Sequence, residues 1–338
     1  MWPPPKHPLR MPAPVRRKFF LACMSLAALA LVLAGAAWAG NGGVAPPAET
    51  PQAQRIQDLY WVLLAVTGVI FVLVEGALIL FVVRFRNAGR PRDAEGPQIR
   101  GHTRLELLWT AIPVLFLAGI IAFVFYELPG IKDVPAATSQ GSRLTVDVQG
   151  RQFYWRYAYP NGAISINELR LPVGTPVELV ITAPATDVNH SWWVPSLAGK
   201  MDAIPGKVNH LRFVTPSDPG VFEGQCAEFC GIQHAMMLTH VRIVQPGEYR
   251  SWLTDQLQVN ANIGRMTFEG ACAPCHGLNG QGLIGPSLQG NSTLSDRQRL
   301  RTLLENGKGN MPPVGKDWTP HELAELSAYL KKEFAGGG

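Results

Sequence analysis

At 338 residues, with 47% hydrophobic and only 16% charged residues, the chain is too long for one ordinary domain and too apolar for a purely soluble protein. Its net charge of +5 traces to the N-terminus, where Lys6, Arg10, Arg16, Arg17 and Lys18 stand without an acid through residue 40. From Leu144 onward the signs nearly balance, which excludes a basic face for nucleic acid.

The first predicted element is a secretory signal over residues 1–39. Arg16-Arg17-Lys18 precedes an apolar run over 19–33 and then Ala37-Trp38-Ala39, the small-x-small pattern of a cleavage site. Cys23 lies inside the apolar run and leaves with it.

Two long apolar runs follow, over residues 59–83 and 107–126, each sufficient to cross a bilayer. They predict a transmembrane hairpin over 55–128. The loop between them carries Arg84, Arg86, Arg90, Arg92, Arg100 and Arg104 against Asp93 and Glu95, whereas residues 40–58 have Arg55 as their only base. The positive-inside rule makes that loop cytoplasmic and sends everything after Pro129 to the periplasmic side of a bacterial-type inner membrane. Glu75 interrupts the first run about 12 Å along the helix from Val83. A carboxylate at that depth needs a proton or a polar partner on another subunit.

Beyond the hairpin, apolar residues alternate with period two: Leu144, Val146, Val148; Val177, Leu179, Ile181; Leu211, Phe213; Val241, Ile243. Pro and Gly punctuate these runs, predicting an all-β sandwich over 140–257. After Pro246-Gly247 the pattern turns helical, over 249–257, 295–305 and 320–334, and predicts a small all-α domain over 260–335.

Four of the five cysteines form two tight pairs, one in each of these domains. Residues 226–237 read C-A-E-F-C-G-I-Q-H-A-M-M and place Cys226, Cys230, His234 and Met237 on one short loop. Thiolate, imidazole and thioether together favour copper over magnesium or calcium, and a second cysteine beyond the single one of a blue-copper site allows two thiolates to bridge two metal ions. His190, in D-V-N-H-S-W-W-V-P just after a predicted strand, is the best candidate for a further imidazole. The plainer reading is a Cys226–Cys230 disulfide, which an oxidising compartment permits.

Cys272-Ala-Pro-Cys275-His276 is the attachment signature of a covalent c-type haem, with His276 as one axial ligand. Its rivals lack their context: a thioredoxin-like dithiol wants a βαβ unit and a zinc site a second ligand pair. Met311, in G-K-G-N-M-P-P, is the candidate for the second axial position. His/Met ligation raises the reduction potential, as suits a donor to an oxidase.

The pattern C-x-E-x-C-x-x-x-H-x-x-M, preceded by H-S-W-W-V-P-S-L and D-A-I-P-G, resembles subunit II of the haem–copper oxidases over roughly residues 55–257. The resemblance implies a cupredoxin-like fold for the sandwich. It implies that His190, Cys226, Cys230, His234 and Met237 hold the dinuclear copper centre CuA, with Glu228 contributing its backbone carbonyl and its side chain facing a magnesium ion at the catalytic subunit. With the C-terminal domain, the whole resembles oxidases whose subunit II carries a fused cytochrome c. The implied route runs from haem to CuA to subunit I, which reduces oxygen to water and pumps protons. Subunit III and a donor, either cytochrome c or a quinol–cytochrome c reductase complex, are the further partners expected.

Two motifs bear on this resemblance less directly. Where the family carries G-x-Q-W-x-W at a cytochrome c docking site, this chain reads Gly150-Arg151-Gln152-Phe153-Tyr154-Trp155. Phe153 and Trp155 are candidates for receiving electrons, or Phe153 is a packing aromatic alone. Glu106, in E-L-L-W-T-A-I-P, occupies the place of a family carboxylate at the mouth of a proton channel, although an acid at a helix start is also stabilised by the helix dipole. A copper-bearing nitric oxide reductase subunit and a membrane-tethered redox sensor stand as alternatives.

Overall fold

A strand pattern with period two needs a partner layer for its apolar face, and two five-stranded sheets supply it here. The computed structural model describes residues 46–84, 101–138, 141–259 and 263–336. The signal segment 1–39, Cys23 and the loop arginines Arg86, Arg90, Arg92 and Arg100 lie outside the described residues. One unit of the chain includes residues 57–124; the other holds 48–56 and 125–338.

The first unit is built on the parts of α1 (Pro51–Arg84) and α2 (Thr103–Lys132) within 57–124, and the two helices contain 18-residue stretches of mean hydropathy 2.7 and 2.5. Their apolar side chains face outward, Leu73 and Leu115 among the most open. Such surface is stable against lipid and not against water. The helices enclose the two expected spans. Glu106 stands in the first turn of α2, where its Oε1 accepts the His102 backbone N–H at 3.0 Å. The carboxylate thus serves a backbone donor that the helix itself leaves unpaired.

In the second unit, a two-residue ladder of β1 (Ala137–Thr138) and β2 (Gly141–Ser142) precedes the sandwich. The first sheet has the order β10-β7-β3-β4-β5, from Asn209–Val214, Pro176–Thr182, Leu144–Arg151, Tyr154–Ala158 and Ile164–Ile166. The second runs β6-β12-β11-β8-β9, from Glu168–Pro172, Leu238–Val244, Gly220–Cys226, His190–Trp193 and Met201–Ala203. Pairing is antiparallel except for β3 with β7 and β12 with β6, so neither sheet is the purely antiparallel layer of an immunoglobulin-type sandwich.

Alternate residues point into the space between the sheets. Val146 and Val148, Leu169 and Leu171, Leu179 and Ile181, and Val241 and Ile243 are all buried there. Tyr157 is their polar anchor: its hydroxyl accepts from Trp192 Nε1 at 2.9 Å and shares a 2.6 Å hydrogen bond with Thr239 Oγ1.

A helical domain closes the chain. After α3 (Pro246–Val259), α4 (Ile263–Thr267) passes through a π-helical turn, Phe268–Cys272, into α5 (Ala273–His276). Then come α6 (Arg297–Asn306) and α7 (Pro320–Phe334). Phe268, Leu300, Leu304, Leu326 and Leu330 form its core. Asp296 caps α6, and Thr319 with Glu322 forms a reciprocal capping box on α7.

Tyr157→Phe should expose the cost of this polar anchor. It strips a partner from two fully buried groups and is expected to destabilise the sandwich by about 1–3 kcal/mol. Tryptophan-monitored unfolding of the full chain should show a lower midpoint; an unchanged midpoint contradicts the anchoring role.

Candidate metal centres

The copper-type donors converge at one end of the sandwich because β8 and β11 are neighbours there. Cys226 closes β11 opposite Trp192, and His190 opens β8. The donor atoms of His190, Cys226 and Cys230 all lie within 4.8 Å of one another, and the three residues are buried. Around them, Cys230 Sγ is 3.6 Å from His234 Nδ1 and 3.9 Å from the buried Met237 Sδ. The Glu228 carbonyl approaches Cys226 Sγ at 3.2 Å, while its side chain is exposed. All six residues singled out in the sequence therefore meet at this site.

Both cysteines are free, with their sulfurs 3.9 Å apart, so the described structure contains no Cys226–Cys230 disulfide. The Cys226 thiol is pushed well below the usual thiol range, chiefly by its hydrogen bond with Cys230 and then by His190 and the Glu228 backbone. That same bond, together with burial, pushes Cys230 up. Two thiols this close ionise together only if a cation is placed between them. This sulfur-rich, buried donor set fits copper.

Several supporting residues were not singled out in the sequence. His190 turns Nδ1 toward Cys226 and Nε2 toward Asp187 Oδ1, at 4.0 and 3.4 Å. Burial pulls its pKa down, but Asp187 and Cys226 outweigh burial and raise it. Asp187 also accepts from the Gln152 and Val188 backbones. Gln152 Nε2 in turn donates to the Cys230 carbonyl at 2.6 Å, pinning the copper loop. Asp187 stands three residues before His190, a spacing that could have marked it as the histidine's orienting carboxylate. Gln152 lies 78 residues from Cys230 and carries no such local signal.

Phe153 and Trp155 are 4% and 0% exposed and belong to the sandwich core, so neither ring lies on a docking surface. Trp155 packs edge-on to the His190 ring at 6.1 Å. Phe153 lies beneath Gly231, whose positive φ of 131° allows the loop to turn where a side chain would strike the ring.

In the helical domain, α5 carries Cys275 and His276 one turn after the π-helical stretch that ends at Cys272. Burial pushes the Cys272 thiol up to about 12, with Cys275 adding to it. His276 Nδ1 meets the Pro286 carbonyl at 2.7 Å, which fixes the ring with Nε2 free to ligate. Gly285 lies so close to that ring that a Cβ there would come within 2.8 Å. Met311 packs against the same cluster that contains Cys272.

Residues 36–128 match the family model for the transmembrane domain of cytochrome c oxidase subunit II, and residues 164–244 the one for its periplasmic domain. Residues 259–330 match that of cytochrome c oxidase, cbb3-type, subunit III. The chain is 31% identical to cytochrome c oxidase subunit 2 of Alkalihalophilus pseudofirmus, over 91% of this chain and 95% of that one. It belongs to the cytochrome c oxidase subunit II family.

Subunit 2 of Synechocystis sp. is 30% identical over 64% of this chain and 77% of its own length. The solved periplasmic domain of subunit II from Bradyrhizobium japonicum is 32% identical, covers 37% of this chain and 97% of its own, and has a TM-score of 0.33. As a family member the chain is an oxidoreductase subunit with two membrane spans, a periplasmic cupredoxin-like domain and a cytochrome c domain, which imply copper and haem.

Gly150 offers a test of how tightly the copper end is built. A Cβ there would meet the His190 Cβ and two of its ring atoms at 3.1 Å, and that ring is held by Asp187 and Trp155. Gly150→Ala is expected to displace the imidazole and weaken copper binding by about tenfold. Elemental analysis after mild chelation should show depleted copper, and wild-type retention contradicts the tight seat.

Proposed function

We propose that this chain relays electrons from a covalent haem c to a dinuclear CuA centre and on to subunit I of a respiratory oxidase that reduces oxygen to water. The observation that carries the reading is the buried convergence of His190, Cys226 and Cys230 within 4.8 Å, with His234 and Met237 beside Cys230. These six donors, counting the Glu228 carbonyl, would hold a pair of coppers that supplies one-electron chemistry. Once bound, the copper pair and the haem supply reversible one-electron chemistry. The protein's own part is to hold ligands still: Asp187 orients His190, Gln152 fixes the Cys230 carbonyl, and Pro286 fixes His276. A rigid ligand set keeps the geometry change on reduction small.

Cys272 and Cys275 would carry the haem through thioether bonds, with His276 and Met311 holding its iron. The exposed Glu228 side chain would face magnesium at the contact with subunit I. Phe229 and Ile232, 77% and 72% exposed on the same loop, suit a subunit surface better than water. Subunit III completes the expected complex, and the donor, cytochrome c or a quinol–cytochrome c reductase complex, would meet the haem domain, since Phe153 and Trp155 are buried. For Glu106, the bond to His102 supports a capping duty alongside proton uptake.

The relay predicts that a complex purified through this chain consumes oxygen when a chemical reductant feeds the haem. Cys230→Ser should abolish that uptake while leaving the haem spectrum intact. Retained uptake would sink the relay. Nitric oxide consumption without oxygen uptake would overturn the assignment of the terminal acceptor.

A further inference from the structure

The outer face of the first sheet is not free. β4 sends Trp155 and Tyr157 into the sandwich, so Tyr154 points the other way, and it is buried within the core of the haem domain. Trp318 Nε1 donates to the Tyr154 hydroxyl at 2.7 Å. Glu322, the capping residue of α7, faces Arg151 and Arg156 at 3.7 and 3.8 Å. Gly270, in the π-helical turn, lies so close to β5 that a Cβ would come within 2.2 Å of Ile166. The haem domain is thereby seated on the copper domain in one orientation.

That seating brings the two metal loops together at one side chain. Gln233, immediately before His234, donates through Nε2 to Cys275 Sγ at 2.8 Å. We propose that Gln233 is the coupling residue between the haem and copper centres. The inference rests on the relay proposed above and assigns its junction. A thioether sulfur keeps acceptor character, so the N–H···S contact does not depend on the Cys275 S–H that the bond to haem replaces. From that sulfur, one hydrogen bond and then covalent bonds alone lead through Gln233 to His234, whose ring lies 3.6 Å from Cys230 Sγ. One electron leaves ferrous haem, whose iron becomes ferric, and reduces the copper pair by one; no bond or proton changes hands.

A rival route runs from Trp318 to Tyr154 and then Trp155, which faces His190 at 6.1 Å between ring centroids. It must jump between rings, whereas the Gln233 route has a single non-covalent link. Gln233→Leu keeps the bulk and removes the N–H donor; Tyr154→Phe removes the acceptor on the rival route.

The experiment is time-resolved absorption of the full complex after photoreduction of the haem, paired with the pulsed-EPR distance between haem iron and copper. Gln233→Leu should slow haem-to-copper transfer at an unchanged distance, and Tyr154→Phe at an unchanged distance should not. Wild-type kinetics in Gln233→Leu would overturn the proposal. So would a slower rate with a longer metal–metal distance, which would make Gln233 a clamp only. Failure of the wild-type haem to reduce copper at all would instead overturn the relay beneath it.

Discussion

Two thiols 3.9 Å apart, both buried and joined by an imidazole within 4.8 Å, set the constraint to which the periplasmic unit is built. Without a cation the pair can carry only one negative charge comfortably, which is why Cys226 is pushed down and Cys230 up. A metal pair removes the conflict, because both sulfurs can then ionise against positive charge. The surrounding structure keeps the donors from drifting apart or collapsing into a disulfide. Cys226 is tied to its strand partner Trp192, and its N–H bonds the Met237 carbonyl at 2.9 Å. The β8–β11 neighbourhood supplies His190, and Gln152 reaches in from the opposite sheet to grip the loop.

A second layer of organisation follows from the strand period. A strand whose inward residues fill a sandwich has outward residues to dispose of, and on β4 and β5 the haem domain covers them. Tyr154 does this with both its ring and its hydroxyl. Burial pushes its pKa up to about 12, against the pull of Arg151, so the hydroxyl stays neutral and accepts from Trp318. Glu322 serves twice, closing the capping box of α7 and facing two arginines of the copper domain. Helix capping and domain seating thus share a carboxylate.

Much of this was legible in the sequence wherever the chemistry is local. The copper loop puts four donors within twelve consecutive residues, and the haem motif puts three within five, so residue type and spacing suffice. The apolar runs of the hairpin and the period-two strands are equally local signals. What escaped is non-local: the parallel β3–β7 and β12–β6 pairings, Gln152 on Cys230, and Gln233 on Cys275. The burial of Phe153 and Trp155 was also out of reach, because alternation says that two faces exist but not which neighbour covers each.

On the relay proposed above, these donors hold two coppers that share one electron. The most direct test is EPR of the oxidised complex together with its copper-to-chain ratio. Two coppers per chain are expected, with a hyperfine pattern from one unpaired electron spread equally over two copper nuclei that is lost in Cys226→Ser and in Cys230→Ser. A single-copper pattern, or a Cys226–Cys230 disulfide in the isolated complex, would contradict it.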